Sequence, residues 1–372
     1  MIGTMKTIFD LPEDLVEDEI LSRVPMTSLR SVRSTCKKWN TLCKNRIFLG
    51  ERAKNQFLMM DSRSICLINF NLCKDDGDPS IKQVSVLDQI KISKVFQCDG
   101  LLLCFLKDYS RLVVWNPYLG KTRWIEPRHS FQRGDSFSLG YDNNNLNHKI
   151  LRIFDKIHPV TDRNVLGLEL YDFSSSSWKV LDATQDWQIR SHRHSVSLKG
   201  NAYFTTSVEG FFVCFDFTTE SFAPLLPLPP FHSYCGLHFT SFSCVRQDDL
   251  TVLYQHWESP KTIEISVTDK IGPVVVSWTK FLKVDFGYWF EPCSGRFLVD
   301  GEKKIAMVFV LERAKACWYQ TAHVFGQDGY FKSVRIREAP YLWNDFYPHK
   351  IYCAPLLCSS YLPSLVQLNQ QV

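Results

Sequence analysis

No stretch of the 372-residue chain is long and apolar enough to span a bilayer. The longest apolar run, IAMVFVL at 305–311, falls far short of the roughly 20 residues a helical span needs. The first ten residues, MIGTMKTIFD, lack the extended apolar core of a secretory signal, and no Asn-x-Ser/Thr acceptor occurs anywhere. An excess of one charge sign is missing as well. With a net charge of only +4, the chain as a whole exerts no strong pull on a nucleic acid or a membrane surface. The patterns G-x-G-x-x-G, P-loop, H-E-x-x-H and G-x-S-x-G are absent too. Together these absences predict a protein of the cytoplasm and/or nucleus that is not secreted and has no cofactor, nucleic-acid partner or membrane partner.

What is present is core material: 45% of residues are apolar and 14% aromatic, and the length predicts about two domains. There are thirteen cysteines, and Cys66, Cys98, Cys104, Cys214 and Cys244 fall inside apolar strand-like runs, which predicts buried, reduced thiols. CAPLLC at 353–358 with His349, and His192 with His194, are the candidate metal groupings. Neither completes a four-ligand set, so no metal is expected. GDSFS at 134–138 offers Ser136 as an esterase-like nucleophile. The stretch DFYPH, Asp345 to His349, has the wrong spacing to support it, so a polar turn before a strand is the better reading.

The chain changes character near residue 57. Before it, Asp10 and the Leu11-Pro12 pair start a helix, five acids from Glu13 to Glu19 suit its positive end, and Pro25 stops it. Thr27 or Ser28 caps a second helix with Leu29, Val32, Cys36, Trp39 and Leu42 or Cys43 on one face. Arg30, Arg33, Lys37 and Lys38 lie on its other side and extend into Lys44, Arg46, Arg52 and Lys54, which reads as a solvated helix face. Two or three short helices cannot bury their own apolar faces well, so this face packs on the rest of the chain or on another protein.

After residue 57, short apolar or alternating runs are broken by Gly, Pro, Asn, Asp and Ser, the pattern of an all-β region. Six units resemble one another, centred on Ile68, Trp115, Tyr171, Phe215, Ile265 and Val324, at spacings of 47, 56, 44, 50 and 59 residues. In three of them an aromatic, a polar turn and a second aromatic follow in order: Trp115 to Trp124, Tyr171 to Trp178 and Phe215 to Phe222. Each predicts a hairpin with a bulky residue from either arm in one layer. A repeat of this length is that of a propeller blade, and the competing arrangement is a pair of irregular β-sandwiches.

The segments LPEDL, EILSRVP and SLRSVRSTCKKWN together resemble an F-box. QCDGLLLC, LVVWNPYLGKTRWIEPR, YDFSSSSWKVLD, SVSLKGNAYF and FDFTTESFAPLLPLP resemble the plant F-box-associated domain, type 1, which is related to the kelch type. The implied organisation is α+β by segregated domains: a small helical F-box at 1–52, then an all-β, kelch-like propeller of about six blades at 53–372. The resemblance implies a non-catalytic substrate-recognition subunit of a Skp-cullin-F-box ubiquitin ligase. Its adaptor contacts would be Leu11, Pro12, Leu15, Ile20, Leu21, Leu29, Val32, Cys36 and Trp39, on a Skp-type adaptor protein. Cullin and RING proteins would be indirect partners, and an unidentified protein the substrate. One departure stands out: LVEDEI sets Leu15 and Ile20 five residues apart where the family has four, which at about 100° per residue moves Leu15 off the stripe. Val16, four before Ile20, or a π-bulge would repair this. An unrepaired F-box would leave a non-degradative interaction module.

Target recognition is expected on loops of one propeller face. The candidates are KDDGDPS (74–80), HPVTDRN (158–164), TQDWQIRSHRH (184–194), PFHSYCG (230–236) and FGYWFEPCSGR (286–296). Aromatic and Arg anchors suit an interface, which singles out Trp187, Arg190, Tyr288, Trp289 and Phe290, with buried hairpin aromatics as the alternative. A propeller hydrolase or oxidase would instead need a polar, pKa-perturbed cluster.

Overall fold

The computed structural model describes residues 90–157, 164–182, 187–189, 195–230, 238–245, 248–256, 259, 261–285, 292–314, 317–339, 341–344, 347–352, 356–358 and 364–368, the strands at 56–60, 65–69 and 80–84, and residues 16, 32, 35, 37 and 39. From residue 92 to 338 the chain folds into five consecutive antiparallel sheets, the blades of a β-propeller. Blade 1 contains Ile92–Cys98, Leu101–Leu106, Leu112–Asn116 and Lys121–Ile125. Blade 2 contains Ser136–Tyr141, His148–Ile157, Asn164–Asp172 and Ser177–Leu181. Val196–Leu198, Asn201–Thr205, Phe211–Asp216 and Ser221–Phe222 make blade 3, with Leu226–Pro227 also on its third strand. Blade 4 is His238–Val245, Asp249–His256, Thr262–Gly272 and Val275–Asp285. Pro292–Asp300, Ile305–Ala314, Cys317–Gly326 and Phe331–Glu338 complete blade 5.

A further four-stranded sheet joins the two ends of the chain, in the order Leu356–Cys358, Gln56–Met60, Ile65–Asn69, Ser80–Val84. The expectation of about six blades thus resolves into five contiguous blades and this composite sheet, and a separate hairpin pairs Tyr341–Asn344 with Tyr347–Tyr352. All six repeat centres occupy the same place: each lies on the third strand in the spatial order of its sheet.

First strands of blades 1 to 5 neighbour one another in succession, and Leu356–Cys358 lies beside Ile92–Cys98. Both sheet faces are therefore covered by neighbours, so inner strands read as unbroken apolar runs; every residue of Leu101–Leu106 and Leu112–Asn116 is buried. Outer strands are a mixture of exposed and half-buried residues, as in Ser177–Leu181 and Phe331–Glu338. The core is a series of layers between blades. Phe96, Phe105, Phe137 and Tyr171 fill the one between blades 1 and 2. Leu170, Phe204, Phe215 and Phe217 fill the next, and Phe212, Phe242 and Leu250 the third.

The aromatic-then-Asn/Asp repeat has a local cause. Asn116, Asp172 and Asp216 each end a third strand and pair with the first residue of the fourth across a four-residue turn. Their side-chain oxygens accept N–H bonds inside the turn, from Leu119 at 3.0 Å, Ser174 at 2.7 Å and Thr218 at 2.8 Å. The last turn residue is left-handed each time: Gly120, Ser176 and Glu220, with φ of 61°, 53° and 55°. The expected aromatic pairs form beyond these turns. Tyr171 faces Trp178 and Phe215 faces Phe222 directly, whereas Trp124 is registered with Val113, so Trp115 and Trp124 occupy diagonal positions on one face rather than opposite ones. Two-residue turns close the first hairpins of blades 1 and 3, where Asp99-Gly100 and Lys199-Gly200 all have positive φ.

Candidate functional site

Alternating strand direction gives the propeller two distinct faces. First–second and third–fourth turns lie on one; second–third turns and the connectors between blades lie on the other, here termed the connector face. The strand ends flanking 158–163, 183–195, 231–237 and 286–291 all open onto the connector face, whereas those flanking 70–79 open onto the opposite one. Topology thus gathers four of the five candidate recognition loops on one side and separates the KDDGDPS loop from them.

Among the expected recognition residues, Trp187 is described and the other four, Arg190, Tyr288, Trp289 and Phe290, lie outside the described residues. The Trp187 ring packs edge-on against Phe222 at 5.2 Å and joins the core layer between blades 2 and 3. It also borders a cleft of about 380 Å³ with Leu168, Asp182 and Glu220. A second cleft of about 420 Å³ occupies the matching position between blades 4 and 5, lined by Leu282, Val284, Phe325, Tyr330 and Phe331. Phe331 is 52% exposed there.

The most elaborate polar arrangement lies where the connector from blade 1 enters blade 2. Arg152, 3% exposed, donates through Nε to Asp135 Oδ2 at 2.9 Å, through Nη1 to Glu169 Oε2 at 2.9 Å and through Nη2 to the Ser130 carbonyl at 3.0 Å. Its guanidinium is stacked between Phe131 at 4.8 Å and Phe154 at 4.6 Å. Asp135 Oδ2 also accepts the Gln132 N–H at 2.9 Å, and Lys94 Nζ donates to the Asp135 carbonyl at 2.7 Å. Burial pushes the Asp135 carboxyl up from its ordinary value, opposed by the Gln132 N–H and the Arg152 charge. Burial also lowers the Lys94 ammonium, against the pull of Asp135. With the Arg152 guanidinium shared between two carboxylates and the Ser130 carbonyl, this cluster clamps the connector onto blade 2. Sequence reading missed it, because Asp135, Arg152 and Glu169 stand 17 residues apart in turn and only strand register unites them.

The structure corrects the reading of GDSFS as a turn before a strand, since the strand already begins at Ser136. Ser136 is a strand residue registered with Ile153, and the neighbouring Asp135 is committed to Arg152. Among the described residues no group of three or more His, Cys, Asp or Glu side chains could hold a metal. The side chains of CAPLLC and of His349, like His192 and His194, lie outside the described residues. Cys98, Cys104, Cys214 and Cys244 are buried, as their apolar settings predict, and burial pushes the Cys214 thiol up to about 12. Only the strand position of Cys66 is described.

Of the expected adaptor contacts, Val32 and Trp39 are helical and half-buried, while Leu11, Pro12, Leu15, Ile20, Leu21, Leu29 and Cys36 lie outside the described residues. Lys37, on the basic strip, is helical and exposed. Val16 has π-helical backbone and is 1% exposed. Both features occur at the residue where the five-residue spacing calls for a repair.

An N-terminal segment of F-box pattern joined to a propeller that carries its loops on one face defines a class of interaction proteins. The chain belongs to the F-box proteins with an F-box associated beta propeller domain: that domain matches residues 56–368 and the F-box domain matches residues 8–49. It is 54% identical to the F-box/kelch-repeat protein At3g13680 of Arabidopsis thaliana over 98% of this chain and 97% of that one. F-box protein At3g49510 of the same plant is 47% identical over 98% of this chain and its whole length. Among solved structures, the beta-propeller domain of Myceliophteria thermophila Cps50 (Swd1) aligns with 82% of this chain and 95% of its own at a TM-score of 0.43 and 10% identity.

Proposed function

We propose that the chain is the substrate-recognition subunit of a Skp-cullin-F-box ubiquitin ligase. Residues 1–52 bind a Skp-type adaptor, and through it cullin and RING proteins, while residues 53–372 hold a target protein. The observation that carries this reading is the pairing, on one chain, of an F-box match at 8–49 with a propeller match at 56–368. No reaction step falls to this chain. Its contribution is proximity, raising the local concentration of a target lysine at the ubiquitin-carrying enzyme.

Taking the composite sheet as a sixth blade supports a division of labour between the faces. Leu356–Cys358, beside Ile92–Cys98, is then its first strand and Gln56–Met60 its second. Second strands begin on the face of the first–second turns, so the F-box segment reaches the propeller on the side away from the connector face. Adaptor and target then approach from opposite faces without competing for surface.

Titration of the full chain and of a form lacking residues 1–50 against a Skp-type adaptor tests the reading. Submicromolar binding that disappears with the deletion supports it. A second reading, a non-degradative interaction module, rests on the five-residue Leu15–Ile20 spacing, and absence of adaptor binding by the full chain would favour it. Removing Asp18 restores the four-residue spacing and is expected to tighten the adaptor complex. Within this reading the protein works in the cytoplasm and/or nucleus; no helix among the described residues is long and apolar enough to cross a membrane.

A further inference from the structure

We propose that the connector between blades 1 and 2, residues 126–135, together with the adjoining second–third turn of blade 1, is a pre-organised basic docking element for an acidic peptide segment of the target protein. The inference rests on the propeller being the target-binding domain.

Charge is unevenly spread over the described part of the connector face. Between residues 90 and 135 this side of the propeller carries six cations, Lys91, Lys94, Lys107, Arg111, Arg128 and Arg133. Two exposed acids, Asp108 and Glu126, oppose them, and the third acid, Asp135, is buried and shares the Arg152 guanidinium with Glu169 of blade 2. The Arg111–Glu126 contact, at 3.5 Å between side chains 46% and 72% exposed, is a weak surface pair that a ligand carboxylate can replace. In contrast, the described part of the connector between blades 3 and 4, residues 223–230, has no charged residue.

Backbone contacts bring these cations into one patch. The Lys107 N–H donates to the Lys91 carbonyl at 2.9 Å, which joins the turn to the entry strand, and Lys94 Nζ reaches the Arg133 carbonyl at 3.3 Å, which joins that strand to the connector.

The patch is also held rigid. Arg152 grips the Ser130 carbonyl, Asp135 grips the Gln132 N–H, and Phe131 is 3% exposed against the guanidinium. Arg128, His129 and Arg133 consequently project from a backbone already fixed in place. A ligand meeting such a surface orders little protein on binding, and guanidinium groups pair with carboxylates in a directional, two-pronged way. That is the use we assign to the buried clamp, since a buried ion cluster by itself adds little stability. Nucleic acid fits less well: a single strand needs open aromatic faces to stack on, but Phe131 is buried and Arg111 covers the half-buried Trp124 at 4.6 Å.

The test is fluorescence anisotropy on the full chain. The probes are a labelled peptide of about twelve residues rich in Asp and Glu, its Asn/Gln analogue, a phosphoserine version and an oligouridylate of similar length. The expected result is binding of the carboxylate or phosphoserine peptide but not of the neutral one. That binding should weaken about ten-fold in Arg128→Glu/Arg133→Glu, both of whose sites are exposed, and about five-fold on raising salt from about 50 to about 300 mM. Strong binding of the phosphoserine peptide alone would assign the anion to phosphate and support the proposal. Equal binding of the neutral peptide, no effect of the double substitution, or tighter binding of the oligouridylate would overturn it. Adaptor titration of the same sample reports on the F-box separately, so a failed peptide test with intact adaptor binding removes this proposal alone.

Discussion

Asn116 donates from its side-chain amide to the Ser364 carbonyl at 2.9 Å, across 248 residues of chain, and to the Val366 carbonyl at 3.0 Å. Its Oδ1 meanwhile accepts the Leu119 N–H inside its own turn, and the docked segment places Leu368 in the core between blades 1 and 2. Blades 2 and 3 have Asp at the equivalent position, which satisfies the turn but offers no donor. An amide at 116 is therefore required by the C-terminal segment and not by the turn.

Asn116→Asp should keep the turn and release the segment, because a buried carboxylate would face two carbonyls. The expected loss is about 3 kcal/mol, seen as a lower urea midpoint, and deletion of 364–372 should cost a similar amount. In the double variant the two losses should not add; additive losses would show that Asn116 acts elsewhere.

Arg152→Met removes the one cation shared by Asp135 and Glu169, both 2% exposed or less. Breaking such a cluster from one side costs about 3–5 kcal/mol. The Asp135 carboxyl, already raised by burial, loses a counter-charge and rises further. A carboxyl raised in the folded state favours folding while protonated and loses that advantage as pH climbs, so the variant should regain stability between pH 7 and pH 5. Unfolding midpoints across that range check both claims.

His148 titrates with the opposite sign. Burial holds it down to about 4, with its ring between Tyr141 at 5.5 Å and Phe173 at 6.1 Å. The unfolded chain takes up that proton near pH 6.5, so stability should fall as pH drops from about 6.5 to about 4, by about 3 kcal/mol in all. Asp172, which burial raises but hydrogen bonds from Ser174 and Asn147 bring down to about 2, adds a loss only below about pH 4. His148→Leu should flatten the upper window and leave the lower one.

Trp187 distinguishes core from recognition. Packed on Phe222 in the layer between blades 2 and 3, it should cost about 2–3 kcal/mol when replaced by Ala. A change under about 0.5 kcal/mol would return Trp187 to the list of recognition anchors. Calorimetry of the full chain gives the answer.

What the sequence determined by itself is local and repetitive. Aromatic, Asn or Asp, four turn residues and a second aromatic specify a hairpin, because one side-chain oxygen and one left-handed residue are enough to build the turn. That unit is legible wherever it occurs, and it located the third strands of blades 1, 2 and 3. The F-box was legible through a run of contiguous residues, with the Leu15–Ile20 spacing as its visible irregularity. Only the tertiary structure decided which distant residues meet. The chain ends combine in one sheet through pairs such as Leu58 with Cys358, Arg152 collects two acids from other strands, and Asn116 holds a segment 248 residues away. None of these has a sequence signature, because register within blade 2 makes the Arg152 cluster and the packing of the chain ends beside blade 1 makes the other two. Strand direction gathers four of the five candidate loops and the basic connector on one face, a grouping that does not follow from spacing along the chain.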